Sequence, residues 1–232
     1  MKTETRKIFL EGVHDGIPIA LGYFVVSFTL GIAARRAGLT PFDGFITSLL
    51  NNASAGEYAA FLVMEADAPY LEIALITLIA NARYLLMSIV VSQKFSRSTS
   101  FIHRFFVGFD LTDEIFGITV ARKGKLNPFY NYGAMSVALP GWSVGTALGI
   151  FAGNVLPMNI VSALSVALYG MFIAIIIPPA RSEKIILGVV AVSFGLSFIA
   201  SNFWADISSG TRTIILTVLI ASLAAYFFPK ED

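Results

Sequence analysis

Two charged side chains interrupt apolar stretches of the sequence, at places where a charge is costly. Arg83 lies in the middle of an apolar run over residues 68–93, two positions after Asn81. Glu57 ends a polar and small-residue stretch, residues 51–57, that divides a second apolar run. A charge at the centre of a membrane-inserted helix costs about 2.5–3.5 kcal/mol on insertion scales. We therefore expect both side chains to face protein or water rather than lipid.

Together these charges suggest a site for a zwitterion. A guanidinium binds a carboxylate through charge-assisted hydrogen bonds, and a carboxylate binds an ammonium group. Residues 51–56 also predict a helix break, since Gly and Asn weaken a helix. A broken helix offers free backbone N–H and C=O groups to a polar ligand. The predicted substrate-binding residues are Asn51, Asn52, Gly56, Glu57, Asn81, Arg83 and Tyr84.

Two other interpretations of the same charges stay open. If Arg83 lies closer to one end of its helix than the middle of the run suggests, its side chain would extend to the membrane surface. Alternatively, Glu57 and Arg83 would form an ion pair with a purely structural role.

A second group of charges lies in an otherwise apolar segment, residues 101–121. Asp110, Asp113 and Glu114 have the spacing i, i+3 and i+4, which predicts that they share one face of a helix. They would form either the solvated face of an interfacial helix or a gating or proton-coupling site. The second interpretation follows because clustered carboxylates in a low dielectric hold protons more readily.

One motif is typical of chemistry that the rest of the chain does not support. Gly141-Trp-Ser143-Val-Gly145 matches the Gly-x-Ser-x-Gly pattern of serine hydrolases, but it lies inside an apolar predicted helix. The two histidines, His14 and His103, lie in polar flanks, and no His-Glu-x-x-His motif is present. We expect no enzymatic activity, no metal and no cofactor.

The glycines of this region have a structural interpretation. Gly141, Gly145, Gly149 and Gly153 recur every four residues, a pattern that is typical of close helix packing in membranes. Trp142 beside them is expected to point into the helix bundle or toward lipid.

The composition indicates a helical membrane protein. Of the 232 residues, 56% are hydrophobic and 13% are charged. Several uncharged stretches reach the roughly 20 residues that a helix needs to cross a bilayer. The chain has no cysteine, which excludes disulfides and thiolate metal sites, and its net charge of +1 predicts no nucleic-acid partner.

We predict an all-α polytopic membrane bundle that forms a single domain over residues 1–232, with about seven transmembrane helices. An interfacial lead-in over residues 1–16 precedes them. A polar connection, residues 94–125, contains a re-entrant or amphipathic helix, and the second span is expected to be kinked or unwound at its centre. The predicted spans cover residues 17–34, 42–64, 70–91, 132–152, 159–177, 185–202 and 212–228.

A faint internal repeat divides the bundle into two halves. Leu30-Gly-Ile-Ala33 before Pro41 resembles Leu148-Gly-Ile-Phe151 before Pro157. The first half would cover residues 17–91, and the second half with the last helix would cover residues 126–228. Three helices in each half predict the inverted 3+3 repeat common among secondary transporters. The distribution of Lys and Arg favours an N-terminus outside the membrane and a cytoplasmic C-terminus.

Several motifs together resemble the AzlC family, the large subunit of bacterial branched-chain amino-acid exporters. The resemblance covers nearly the whole chain. Its more specific elements are Asn81-Ala-Arg83-Tyr84, which matches the family's Asn-x-Arg-(His/Tyr), and Leu111-Thr-Asp113-Glu114, which matches its Leu-Thr-Asp-Glu. The weaker elements are Gly12-x3-Gly16-x-Pro18, Ala53-Ser-Ala55-Gly56-Glu57-Tyr58 and Trp142-x-x-Gly145-Thr-x-x-Gly149.

The resemblance implies a secondary exporter of branched-chain or related hydrophobic amino acids in the bacterial inner membrane, working with a small hydrophobic membrane subunit of the AzlD type. In this interpretation Arg83 holds the substrate carboxylate, and Glu57 with the break at residues 51–56 takes the ammonium group. Asp113 and Glu114 contribute to gating or proton coupling. The alternatives are a small-solute channel and a non-transporting membrane scaffold subunit.

Overall fold

The computed structural model describes residues 2–157, 159, 173, 176–177, 180–204 and 207–228. These residues are predominantly helical. In chain order, the helices are α1 Lys2–Arg36, α2 Pro41–Asn51, α3 Ser54–Glu65, α4 Tyr70–Ala80, α5 Arg83–Lys94, α6 Phe101–Phe109, α7 Asp113–Ala121, α8 Pro128–Val155, α9 Lys184–Phe203 and α10 Ser209–Phe227.

Helix α1 ends where the sequence predicts, but it begins earlier. After Arg36, Gly38 has a φ of +82°, and the Leu39 N–H donates to the Ala34 carbonyl at 3.2 Å. This is the Schellman termination that glycine favours. The predicted lead-in is helical from Lys2 onward and continues without a break through Pro18 into the first predicted span.

Contacts with α8 and the loop before it explain why α1 extends so far toward the N-terminus. The Tyr130 hydroxyl donates to Asp15 at 2.7 Å, and Arg122 forms a 2.9 Å salt bridge with Glu11. These partners lie more than 100 positions away in the sequence, so local composition does not reveal them.

Helices α1 and α8 pack with their backbones in contact along most of their length. A Cβ added at Gly149 would lie 2.0 Å from the Phe28 carbonyl oxygen, and one at Gly12 would lie 1.9 Å from the Tyr130 oxygen. Gly141, Gly145, Gly149 and Gly153 all lie against α1. The small-residue stripe is therefore the surface on which the two longest helices meet.

The other helices between α1 and α8 form three interrupted pairs. The chain breaks at residues 52–53 between α2 and α3, where Asn52 adopts a left-handed φ of +39°. It bends by 47° between α4 and α5. It breaks again at residues 110–112 between α6 and α7. The first break lies within the stretch predicted to be kinked or unwound.

The predicted span over residues 70–91 corresponds to α4 and α5, and it is bent between them rather than straight. The two helices remain joined by short-range hydrogen bonds, including Ala82 N–H to Ile79 O and Tyr84 N–H to Asn81 O. These tighter i to i−3 bonds turn the axis without leaving a gap. A single Asn in an apolar run is too weak a breaker to predict the bend.

The acidic segment is also two helices rather than one. Thr112 caps α7, because its side chain accepts a hydrogen bond from the Ile115 N–H. Asp113 and Glu114 then form the first turn of α7, where carboxylates complement the helix dipole. Asp110 caps the C-terminus of α6 instead. The prediction that the three acids share one helical face is therefore wrong.

Among the described residues, four helices are long and apolar enough to cross a membrane: α1, α8, α9 and α10. The bent pair α4–α5 would make five. The predicted spans over residues 185–202 and 212–228 agree with α9 and α10 within a few residues. The predicted span over residues 159–177 lies almost entirely outside the described residues, and the count of seven and the inverted repeat stay predictions.

The contact between α1 and α8 yields a prediction about stability. Gly149→Ala would force a methyl group into the Phe28 carbonyl, and such overpacking costs about 1–3 kcal/mol. We expect a lower thermal unfolding midpoint for the purified protein in detergent.

The matched control is Gly117→Ala on α7, where the added Cβ meets no described atom within 4 Å. Because Ala is intrinsically the better helix former, that variant should be neutral or slightly more stable. Equal effects of the two substitutions would contradict close packing at Gly149.

Candidate functional site

A cavity of about 470 Å³ lies where the helix breaks approach α1 and α8. This volume is in the range of small-molecule binding sites. One part of its wall is apolar and the other carries hydroxyl, amide and carboxylate groups. The lining residues are Pro18, Ile19, Gly22, Tyr23, Val26, Asn52, Ser54, Tyr84, Thr112, Asp113, Glu114 and Trp142.

The cavity is bordered by the N-termini of three half-helices. Ser54 is the first residue of α3, Tyr84 is the second residue of α5, and Asp113 is the first residue of α7. A helix N-terminus carries a partial positive charge, and its first N–H groups have no partner within the helix. At α5, the Tyr84 N–H donates to the Asn81 carbonyl of the preceding turn. Three such ends at one cavity create an environment that favours an anionic group, even before any charged side chain is considered.

Arg83 does not line the cavity, but it forms a salt bridge with Asp113, which does. Its guanidinium Nη2 is 2.8 Å from Asp113 Oδ2, and the same guanidinium lies 5.2 Å from the centre of the Tyr84 ring. Arg83 Nε is buried and has no hydrogen-bond partner among the described residues. The partner of Arg83 is therefore Asp113 and not Glu57, which overturns the structural ion pair considered from the sequence.

Tyr23 of α1 and Trp142 of α8 are the aromatic residues that the two long helices contribute to the cavity wall. Their rings meet edge to face with centroids 5.3 Å apart. The Tyr23 hydroxyl lies 2.7 Å from Glu114 Oε2 and 2.5 Å from Thr112 Oγ1, which ties α1 to the first turn of α7. Sequence reasoning assigned no role to Tyr23 or Thr112. A buried tyrosine needs a hydrogen-bond partner, but nothing local shows where that partner lies.

Glu57 is fully buried and does not line the cavity. Its two carboxylate oxygens accept hydrogen bonds from Ser48 Oγ and, at 2.8 Å, from the Trp142 indole N–H. Ser48 also bonds Thr146 on α8 at 2.7 Å. An indole N–H can only donate, so Glu57 fixes the position of Trp142 in the cavity wall.

Asn51, Gly56 and Asn81 connect the first break to the bend between α4 and α5. Asn81 Nδ2 donates to Asn51 Oδ1 at 3.4 Å, and a Cβ added at Gly56 would lie 2.4 Å from the Asn81 amide atoms. Gly56 is therefore a position where α3 and the bend approach closely. Of the seven predicted binding residues, Asn52 and Tyr84 line the cavity, and the other five do not.

Asn52 also joins the first break to the third. Its Nδ2 donates to Asp110 Oδ1, and both side chains are buried. The three predicted acids thus separate into two environments. Asp113 and Glu114 line the cavity, whereas Asp110 lies behind it and pairs with Asn52.

The comparisons with known proteins agree with the sequence motifs. The AzlC protein family matches residues 18–156, a range that includes every residue lining the cavity. An uncharacterized membrane protein of Archaeoglobus fulgidus is 28% identical over 193 residues, which are 82% of this chain and 84% of that protein. The inner membrane protein YgaZ of Escherichia coli is 26% identical over 150 residues, 63% of this chain and 61% of that protein. No solved structure matches.

We predict different thermal stabilities for two substitutions of the buried residue Glu57. Glu57→Gln keeps an acceptor for Trp142 and supplies a donor to Ser48, so the thermal unfolding midpoint should change little. Glu57→Leu leaves the Trp142 N–H buried without a partner, which costs about 1–3 kcal/mol. Thermal unfolding in detergent, followed by tryptophan fluorescence, measures both. If the two variants are destabilised equally, the negative charge itself is required and the positioning role is wrong.

Proposed function

The chain belongs to the AzlC family, and on that premise we propose that it is a secondary active exporter of branched-chain or related hydrophobic amino acids across the bacterial inner membrane. The observation that carries the proposal is the set of three helix N-termini at one cavity, with Arg83 beside them. This arrangement suits a carboxylate, and the rest of the wall suits the other parts of an amino acid.

The substrate carboxylate is proposed to bind near Ser54 and Tyr84 and to compete with Asp113 for the Arg83 guanidinium. That exchange preserves charge pairing, because one carboxylate replaces another on the same cation. It also gives the unpaired Arg83 Nε an acceptor.

The substrate ammonium group is proposed to bind Asp113 and Glu114 in the first turn of α7. Both carboxylates line the cavity, and Tyr23 positions Glu114 through its 2.7 Å hydrogen bond. This assignment replaces Glu57, which the sequence analysis favoured and which has hydrogen-bond donors at both oxygens.

The aliphatic side chain is proposed to occupy the apolar part of the wall. Pro18, Ile19 and Val26 of α1 and Trp142 of α8 form that part. Burial of an aliphatic side chain there contributes about 25 cal/mol per Å² of apolar surface. The long helices α1 and α8 thus supply the apolar part of the wall, and the half-helices with their breaks supply most of its polar groups. A hydrophobic amino acid has the same combination of polar and apolar parts.

The proposal includes a small hydrophobic AzlD-type subunit as partner, as in the family, and an N-terminus outside with a cytoplasmic C-terminus. The orientation rests on the positive-inside distribution of Lys and Arg. Energy would come from an ion gradient.

Arg83 provides the first test of transport. Arg83→Ala removes the cation that is proposed to pair with the substrate carboxylate, so the carboxylate loses its charge-assisted hydrogen bonds. We expect leucine efflux from loaded cells to be abolished while the protein stays in the membrane.

The matched control is Arg97→Ala, because Arg97 is exposed in the loop after α5. Its efflux should be unchanged. Normal efflux in Arg83→Ala would end the proposed role. Counterflow of labelled leucine in vesicles separates a carrier from a channel, since a channel shows none.

The apolar wall provides a second test, on the substrate side chain. Val26→Phe fills part of the cavity, and overpacking of about 1–3 kcal/mol corresponds to roughly a 5- to 150-fold weaker leucine affinity. Alanine, with a shorter side chain, should be affected less. Val25→Phe is the matched control because Val25 is 64% exposed on the same helix. Equal leucine affinities of the two variants would show that the side chain binds elsewhere.

A further inference from the structure

Asn52 and Asp110 form a pair whose hydrogen bonding is incomplete. Asn52 caps the C-terminus of α2 and Asp110 caps that of α6. Their relative exposures are 3% and 0%, so both side chains are buried. One hydrogen bond joins them, from Asn52 Nδ2 to Asp110 Oδ1. The other two atoms, Asn52 Oδ1 and Asp110 Oδ2, have no hydrogen-bond partner among the described residues.

The two leftover atoms are both acceptors when Asp110 is ionised, so they cannot satisfy each other. A single proton on Asp110 Oδ2 changes this, because a carboxylic acid is a donor at one oxygen and an acceptor at the other. The acid and the amide can then exchange two hydrogen bonds, Nδ2–H to Oδ1 and Oδ2–H to Asn52 Oδ1. One proton therefore completes the pairing of two buried side chains.

The electrostatic surroundings also favour the neutral acid. Both residues lie at helix C-termini, where the partial negative charge of the backbone opposes a carboxylate. None of the salt bridges among the described residues includes Asp110. A buried charge without a partner is strongly disfavoured. The other titratable or charged side chains that line the cavity or bond its wall residues are Tyr23 from α1, Glu57 from α3, Arg83 and Tyr84 from α5, and Asp113 and Glu114 from α7.

These side chains do not supply a counter-charge. Arg83, the one cation among them, pairs with Asp113, and Glu57 bonds Ser48 and Trp142. Tyr23 is directed to Thr112 and Glu114. Helix α8 contributes Trp142, which does not titrate. The remaining way to neutralise Asp110 is to protonate it.

We propose that Asp110 is the proton-binding group of this carrier, and that its protonated form locks the α2–α3 break to the α6–α7 break through Asn52. The inference rests on the proposed transport function. Thr112 and Asp113 follow Asp110 by two and three residues and line the cavity. Loss of the proton leaves two acceptors, Asn52 Oδ1 and Asp110 Oδ2, facing each other. Their repulsion separates the two breaks and moves the N-terminus of α7 relative to the substrate. Proton release is thereby linked to the shape of the binding site.

Reconstituted vesicles test the proposal with two measurements on the same protein. Counterflow of labelled leucine needs only the carrier, whereas accumulation against a leucine gradient needs proton coupling. Asp110→Asn should keep counterflow and lose accumulation driven by a pH gradient, because an amide at residue 110 reproduces the hydrogen bonds of the protonated acid permanently. Asp67→Asn, the same change at an exposed turn residue, should keep both activities.

The outcomes separate the inference from the proposed function. Absence of counterflow by the unaltered protein reconstituted together with its proposed small membrane subunit would overturn the transport function itself. Counterflow together with pH-driven accumulation in Asp110→Asn would overturn only the proton site. Accumulation in the unaltered protein that follows a sodium gradient and ignores a pH gradient would also overturn it.

Infrared difference spectroscopy gives a readout that does not depend on transport. The purified protein should show the C=O stretching band of a protonated carboxylic acid that disappears at alkaline pH, and Asp110→Asn should lack that band. Asn52→Gly keeps the left-handed backbone of residue 52 but removes the amide, so the band should shift in frequency. An identical band in Asp110→Asn, or an unshifted band in Asn52→Gly, would overturn the pairing.

Discussion

A helix that is interrupted within a membrane exposes backbone N–H and C=O groups that lipid cannot satisfy. This chain has three interruptions between its two longest helices, and each must therefore face protein or water. The structure joins them to one another. Asn51 and Asn81 connect the first break to the α4–α5 bend, and Asn52 and Asp110 connect it to the third break. The cavity lies where these breaks meet. The candidate site is therefore at the same place as the interrupted helices, whose exposed backbone groups lipid cannot satisfy.

The long helices α1 and α8 form the other side of the cavity, and close packing at glycines holds them together. Glycines let the backbones of α1 and α8 touch, which fixes their crossing without bulky side chains. Trp142 of α8 is held by Glu57 from α3, and Tyr23 of α1 reaches the first turn of α7. The interrupted helices are thus tied to the unbroken pair by hydrogen bonds at the cavity wall. A change in any one break would therefore shift residues that line the cavity.

The sequence predicted the all-helical class of fold and several residues that line the cavity, because charges and glycines in apolar runs have few explanations. It predicted the break near Asn52 from local composition. It could not predict the α4–α5 bend, since Asn81 alone is a weak breaker, or the pairing of Arg83 with Asp113, since partners 30 positions apart on separate helices leave no local pattern. The same reason hid the positioning role of Glu57, whose partner Trp142 is 85 positions away.

The central claim is that the cavity recognises both charged ends of an amino acid together with its apolar side chain. Calorimetric titration of the purified protein with leucine and two analogues tests this most directly, one analogue lacking the carboxylate and the other lacking the amino group. We predict that leucine binds and that each analogue binds at least tenfold more weakly, a difference of about 1.4 kcal/mol or more. Equal binding of the amine without a carboxylate would contradict the account, because the helix N-termini and Arg83 would then have no part in recognition.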